Sequence, residues 1–190
     1  MKQFEDFLTE AHRLKTLYAA SITLLVGLET EVITMADFDH LCDLLKKHGN
    51  RIEYLVGSVH HVNSIPIDFD LPTFEKSLYS LPYTDDSHNT EDSHNTELQH
   101  MDTFLSAYFD AQYELLTRFH PEVIGHFDLC RLYKPDLKFQ DFPLTWAKLE
   151  RNVQFAIEYG ALFEVNAAAL RKGWQSAYPG EDVLKVRSSF

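Results

Sequence analysis

Four short apolar runs in this chain end on side chains able to hold a metal ion or a proton. Val26-Gly-Leu-Glu29 ends on Glu29, Val56-Gly-Ser-Val-His60 on His60, and Val123-Ile-Gly-His126 on His126; the run through Phe163 closes on Glu164 and Asn166. Two imidazoles and a carboxylate suit Zn, Fe or Mn, and a carboxylate can bridge two such ions. Ions held there would neutralise phosphate oxygens and lower the pKa of a bound water, making hydroxide available near neutral pH. Taken singly, His60 and His126 also read as hydrogen-bonded core histidines, and Glu29 as a capping or ion-paired carboxylate. Recurrence at four run ends favours a metal site. The glycine shortly before the polar residue in the first three runs lets the chain approach a neighbour or ligand closely.

Other candidates are less defined. Arg171 and Lys172 follow the fourth run and either face a substrate phosphate, Arg in bidentate fashion, or lie on a solvated helix face. His61 adjoins His60, and strand alternation would point it to the opposite side, so it reads as a packing residue or an outer partner of the site. His12, His40, His48 and His100 fall on helical segments among charged neighbours, where solvated positions are expected, and His120 ends a helix.

The elements that must position these residues alternate. Residues 2–19 place Phe4, Phe7, Leu8, Ala11, Leu14 and Leu17 at helical spacing, and 22–28 turn continuously apolar, as a strand buried on both faces would. A helix over 37–48 stops at Gly49-Asn50 and precedes a strand over 53–59; a short amphipathic piece covers 71–80. A long helix over 98–119, with Met101, Phe104, Leu105, Tyr108, Leu115 and Leu116 inward, leads to a strand over 122–125. A helix over 142–159 leads to an extended stretch over 161–165. This order predicts an α/β fold, a parallel sheet wrapped by helices, either open or closed as a barrel, with its functional groups at the carboxyl ends of the strands. One segment breaks the pattern: Asp86-Ser-His-Asn-Thr-Glu91 is repeated at once as Asp92-Ser-His-Asn-Thr-Glu97. Residues 84–97 therefore read as a low-complexity, mobile surface loop in which His88 and His94 are solvated.

The chain of 190 residues, 45% apolar and 13% aromatic, can bury one core, so residues 1–190 are expected to form a single domain. A formal net charge of −12 disfavours nucleic acid and anionic membranes as partners. A small anionic substrate fits only with a cation between. Cys42 and Cys130 show no metal-binding or disulfide spacing, which suits a reducing, cytoplasmic compartment. No signal peptide or membrane span is read.

Three stretches carry a resemblance. Leu55-Val-Gly-Ser-Val-His-His-Val-Asn-Ser-Ile-Pro-Ile-Asp-Phe-Asp70, Val123-Ile-Gly-His-Phe-Asp-Leu129 and Phe163-Glu-Val-Asn-Ala-Ala-Ala-Leu-Arg-Lys172 resemble signatures of fungal-type histidinol phosphatases of the polymerase-and-histidinol-phosphatase (PHP) family, and Gly27-Leu-Glu29 resembles that family's glutamate motif. The resemblance implies a distorted TIM-like barrel of β/α units, two or three divalent ions (Zn, Mn or Fe), and hydrolysis of L-histidinol phosphate in L-histidine biosynthesis. It implies Glu29 as a bridging metal ligand, His60 and His126 as metal ligands, and metal-bound water as the in-line nucleophile. Asn166, Arg171 and Lys172 are expected at the substrate, with His61, Asp128 and Glu164 as outer partners of the metal ligands; Asp128 is alternatively structural. The family's opening His-x-His, a further histidine on its second strand and its closing Asp-x-His have no counterpart here, which implies a truncated, open barrel that supplies only part of the coordination shell, leaves open whether this chain is active or inactive by itself, and self-associates through its edges. The rival readings are a PHP phosphoesterase with another small phosphate substrate and a non-catalytic fragment acting as a binding or regulatory partner.

Overall fold

A computed structural model describes residues 2–82 and 93–186. Its centre is a four-stranded, all-parallel sheet in the order β1 (Gly27–Glu29), β2 (Tyr54–Gly57), β5 (Val123–Ile124), β6 (Leu162–Phe163). The register pairs Glu29 with Val56, Val56 with Val123, and Ile124 with Phe163, so the carboxyl ends of all four strands lie at one end of the sheet. A separate antiparallel hairpin, β3 (His61–Val62) and β4 (Ile65–Pro66), follows β2. The α/β class and the parallel sheet are as expected. Among the described residues the sheet is open, with β1 and β6 as its edges.

Each crossover is helical. Between β1 and β2 runs α2 (Met35–His48), started by a capping box in which the Asp37 carboxylate accepts from the Thr34 backbone N–H. Between β2 and β5 run α3 (Leu71–Leu78), whose N-cap Asp70 accepts from the Thr73 N–H, and the long α4 (Ser93–Phe119). α4 buries Met101, Phe104, Leu105, Tyr108, Phe109, Leu115 and Leu116. That stripe at three- and four-residue spacing is what a helix pressed on a sheet requires. α5 (Pro143–Tyr159) packs beside α4, begins with proline at its first position and ends at Gly160, whose φ of +85° is the left-handed cap that glycine adopts without a Cβ clash. Short helices α6 (Ala168–Arg171) and α7 (Glu181–Val186) complete the described chain, which opens with α1 (Lys2–Leu17).

Three expectations are corrected here. Residues 22–26 are not strand, and Ile22 and Leu25 are exposed. β1 is an edge with no outer neighbour among the described residues, so the apolar run before it has no second face to bury. On α1 only Leu8 is buried, and Phe7 and Leu17 face solvent. Residues 93–97 of the second hexapeptide copy are the first turn of α4, not loop; polar residues extend a helix when packing further along already holds it. The rest of that repeat, including His88, lies outside the described residues, as does the His94 side chain. No helix among the described residues is long and apolar enough to cross a membrane.

Candidate metal centre

Glu29, His60 and His126 converge at the carboxyl end of the sheet. The His60 and His126 Nε2 atoms stand 3.0 Å apart, and Glu29 Oε1 is 3.7 Å from the first and 3.4 Å from the second. Their ligating atoms form one group within 4.8 Å. Two nitrogens bound to one tetrahedral ion at the usual Zn–N distance would stand about 3.3 Å apart, so a triangle with these edges fits three ligands of a single divalent ion. Beside the His126 imidazole, and with help from the Ser58 hydroxyl and His60, the Glu29 carboxyl is held down to about 2 against the effect of its partial burial. It is therefore an anion over the whole neutral range.

The local chain explains the convergence. Thr30 is buried and turned the other way: its N–H donates to the Val56 carbonyl and its Oγ1 accepts from the Ser58 N–H at 3.0 Å. That clamp leaves Glu29 and Glu31, two apart on extended chain, on the same side. His126 follows Gly125, where a Cβ would collide with Ser58 Oγ and Val56 Cγ1. His126 itself has φ of +24°, a sparsely populated region costing on the order of 1–3 kcal/mol. Its N–H donates to Glu164 Oε2 at 3.0 Å, and the Asn166 side-chain amide donates to the same oxygen at 3.0 Å. Strain at His126 is thus fixed by the end of the neighbouring strand.

The remaining predicted site residues divide. Glu164 touches the site through the His126 backbone. The Asn166 side chain is committed to Glu164 and, through Oδ1, to the Ala168 N–H, so it caps α6 instead of standing free for a substrate. Arg171 and Lys172 are exposed at the end of α6, and neither bonds to the three clustered side chains. Asp128 lies elsewhere: fully buried, it accepts from Arg131 Nη2 at 2.5 Å and the Gly180 N–H at 2.8 Å. Arg131 also pairs with Asp182 and lies over the Phe139 and Trp174 rings. Burial pushes the Asp128 carboxyl up, against the pull of Arg131 and Gly180. This cluster ties α7 to the chain after β5, and it is structural. His48, expected in solvent, is buried with its ring against Phe4 and its Nε2 3.4 Å from Glu5.

Two residues at the site escaped the sequence reading. Glu31 Oε2 lies 3.1 Å from His60 Nδ1 and its Oε1 lies 2.8 Å from His61 Nδ1. Alternation does not separate the two histidines, because β2 ends at Gly57 and His60 lies outside both strands. Asp68, just past the hairpin, contributes charge at His60. The Glu29-x-Glu31 spacing was the available signal for Glu31; Asp68 carried none.

Comparison with known proteins agrees with this geometry. The chain is 40% identical over 97% of its length to a probable histidinol-phosphatase of Schizosaccharomyces pombe, covering 56% of that protein. It is 32% identical over 96% of its length to a histidinol-phosphatase of Saccharomyces cerevisiae, covering 58% of it. The chain therefore spans little more than half the length of these curated relatives. The family model described as the PHP domain matches residues 1–168, most of the chain and every strand of the sheet, and on that match the chain belongs to the PHP domain family.

Proposed function

We propose that this chain carries part of the metal centre of a histidinol-phosphatase, an enzyme that hydrolyses L-histidinol phosphate to L-histidinol and phosphate in L-histidine biosynthesis. The observation that carries the reading is the triangle of Glu29 Oε1, His60 Nε2 and His126 Nε2, with edges of 3.0, 3.4 and 3.7 Å. The names of the two fungal relatives support the substrate. The four-stranded sheet is read as part of a TIM-like barrel of the PHP type.

Glu29, His60 and His126 would hold a divalent ion, Zn, Mn or Fe, and where two or three ions are held Glu29 would be shared between them. When bound, such an ion supplies Lewis acidity toward phosphate oxygens and acidifies water. The chain's own residues do the positioning. Glu164, held by Asn166, fixes the His126 backbone, and the Glu29 anion sets the charge of the cluster. Arg171 and Lys172, exposed beyond β6, supply positive charge for a phosphate that an otherwise acidic surface would repel.

The test is phosphate release from L-histidinol phosphate with added Zn²⁺ or Mn²⁺, comparing wild type with His126→Ala. Release that the substitution abolishes supports the reading. Undiminished release in the variant, or a preference for another small phosphate ester, contradicts it.

A second reading, a partner-binding role or self-association, is favoured by one observation. Beside the β6 edge lies an apolar groove of about 500 Å³, where Leu162, Val165 and Leu184 are more than half exposed. Patches of this kind mark interaction surfaces.

A further inference from the structure

The strands of the main sheet stand in the order in which the chain makes them, β1, β2, β5, β6, and all run parallel. With right-handed crossovers, a sheet laid down in one direction receives its helices on one face only. Strand pairing shows which face that is. Leu55, Gly57 and Ile124 point to the helices: Leu55 and Ile124 are buried, and a Cβ on Gly57 would collide with Pro121 and touch Leu115 of α4. Val56, Val123 and Leu162 form one row across the sheet and so share the opposite face. Val56 and Val123 are only partly buried, and Leu162 is 67% exposed. That face is apolar and still open to water.

The two edges match each other. Beside β6 stand the exposed Val165 and Leu184, and just before β1 stand the exposed Ile22 and Leu25. Charge is complementary at the carboxyl ends of these strands. Glu29 and Glu31, each about half exposed, lie at the end of β1, and the exposed Arg171 and Lys172 follow β6.

We propose that two copies of this chain close into one eight-stranded parallel barrel, β6 of each copy pairing with β1 of the other about a two-fold axis parallel to the strands. An axis in that direction pairs both edges at once and keeps every strand parallel. Each strand of the sheet is followed by a helix, so one copy supplies four of the eight β/α units of such a barrel. Closure leaves no sheet edge exposed. The row of Val56, Val123 and Leu162 becomes barrel interior, which branched apolar side chains fill. All the carboxyl ends then share one rim, and Arg171 and Lys172 of one copy stand on the Glu29 side of the other copy's metal triangle. Within their own chain they lie beyond the opposite edge. The inference rests on the self-association reading and commits it to one occupant of the β6 groove, a second copy; it is independent of the metal assignment.

Sedimentation equilibrium of the 190-residue chain tests it, with Leu25→Asp at the β1 edge, Val165→Asp at the β6 edge and Leu162→Asp as a second β6-edge variant. Wild-type mass should level off at two copies. Each variant alone should raise the dissociation constant roughly 100-fold, because the two-fold axis repeats the buried charge in both seams. An equimolar mixture of Leu25→Asp and Val165→Asp should associate more tightly than either alone, since their heterodimer keeps one seam free of substitutions. All three positions are more than half exposed, so the melting temperature of the dilute, monomeric chains should not change. Mass that keeps growing past two copies overturns the closed barrel and leaves self-association standing. A dimer broken by the β6-edge variants but indifferent to Leu25→Asp does the same. A monomer at every concentration overturns both.

Discussion

His60 and His126 meet Nε2 to Nε2 at 3.0 Å although 66 residues separate them in sequence. Neither ring is carried there by its own element alone. His60 is set by a hairpin anchored through Ile67, and His126 by the Glu164 carboxylate at the end of the next strand. The consequences can be measured separately.

The first concerns pH. Burial works to push the His60 imidazole down, but the Glu31 carboxylate 3.1 Å from its Nδ1, joined by the charges of Asp68 and Glu29, outweighs it and raises the group above its usual 6.5. A pKa raised in the folded state means that folding favours the protonated ring. Its contribution is complete below about pH 6.5 and is lost as pH rises through the folded value. The metal-free chain should therefore lose stability as pH climbs from about 6.5, and His60→Gln should flatten that dependence. Urea midpoints across this range check it. Glu29, held down to about 2, stays ionised throughout and contributes nothing to the slope.

The second concerns Arg131. Removing its guanidinium leaves the fully buried Asp128 facing only the Gly180 N–H. Stranding a buried charge costs on the order of 3–5 kcal/mol. Arg131→Leu should lower the urea midpoint accordingly. Asp128 and Arg131 replaced together by apolar residues of similar volume should recover much of the loss.

A third prediction follows from Gly125. A methyl there would meet the side-chain atoms Val56 Cγ1 on β2 and Ser58 Oγ just past its end. Overpacking of this kind costs roughly 1–3 kcal/mol. Because His126 is the next residue, Gly125→Ala should also displace its imidazole, so histidine ring resonances and thermal unfolding should both change. Gly49→Ala, where a Cβ meets nothing within 4 Å, is the control.

How far the sequence reached is clearest in these same residues. The α4 stripe was legible because every contact that buries it obeys one helical period, and the strand-end rule found Glu29, His60 and His126 because parallel strands carry their polar residues to one rim. What escaped depends on neighbours distant in sequence. The apolar residues 22–26 resemble a buried strand until it is known that, among the described residues, no strand lies outside β1. Asp128 sits two residues from His126 and resembles a partner of the site, but a turn takes its side chain to Arg131. Glu31 went unread and His61 looked like a back-face residue because the hairpin that turns His61 toward Glu31 is a matter of turn geometry, not of period.

The β6 edge gives a fourth prediction. With Leu162, Val165 and Leu184 exposed beside a strand whose outer edge has no partner among the described residues, the chain should associate as its concentration rises. Val165→Lys should shift light-scattering mass toward the monomer without lowering the melting temperature, since the side chain is 78% exposed.

The most direct measurement is Zn²⁺ titration of the purified chain by calorimetry, with Glu29→Gln, His60→Ala and His126→Ala alongside. If the three residues form one centre, wild type takes up Zn²⁺ and each substitution weakens uptake by more than roughly 100-fold, beyond what loss of an outer partner costs. Zn²⁺ uptake that survives any one of the three unchanged, or no uptake by wild type, would contradict the account.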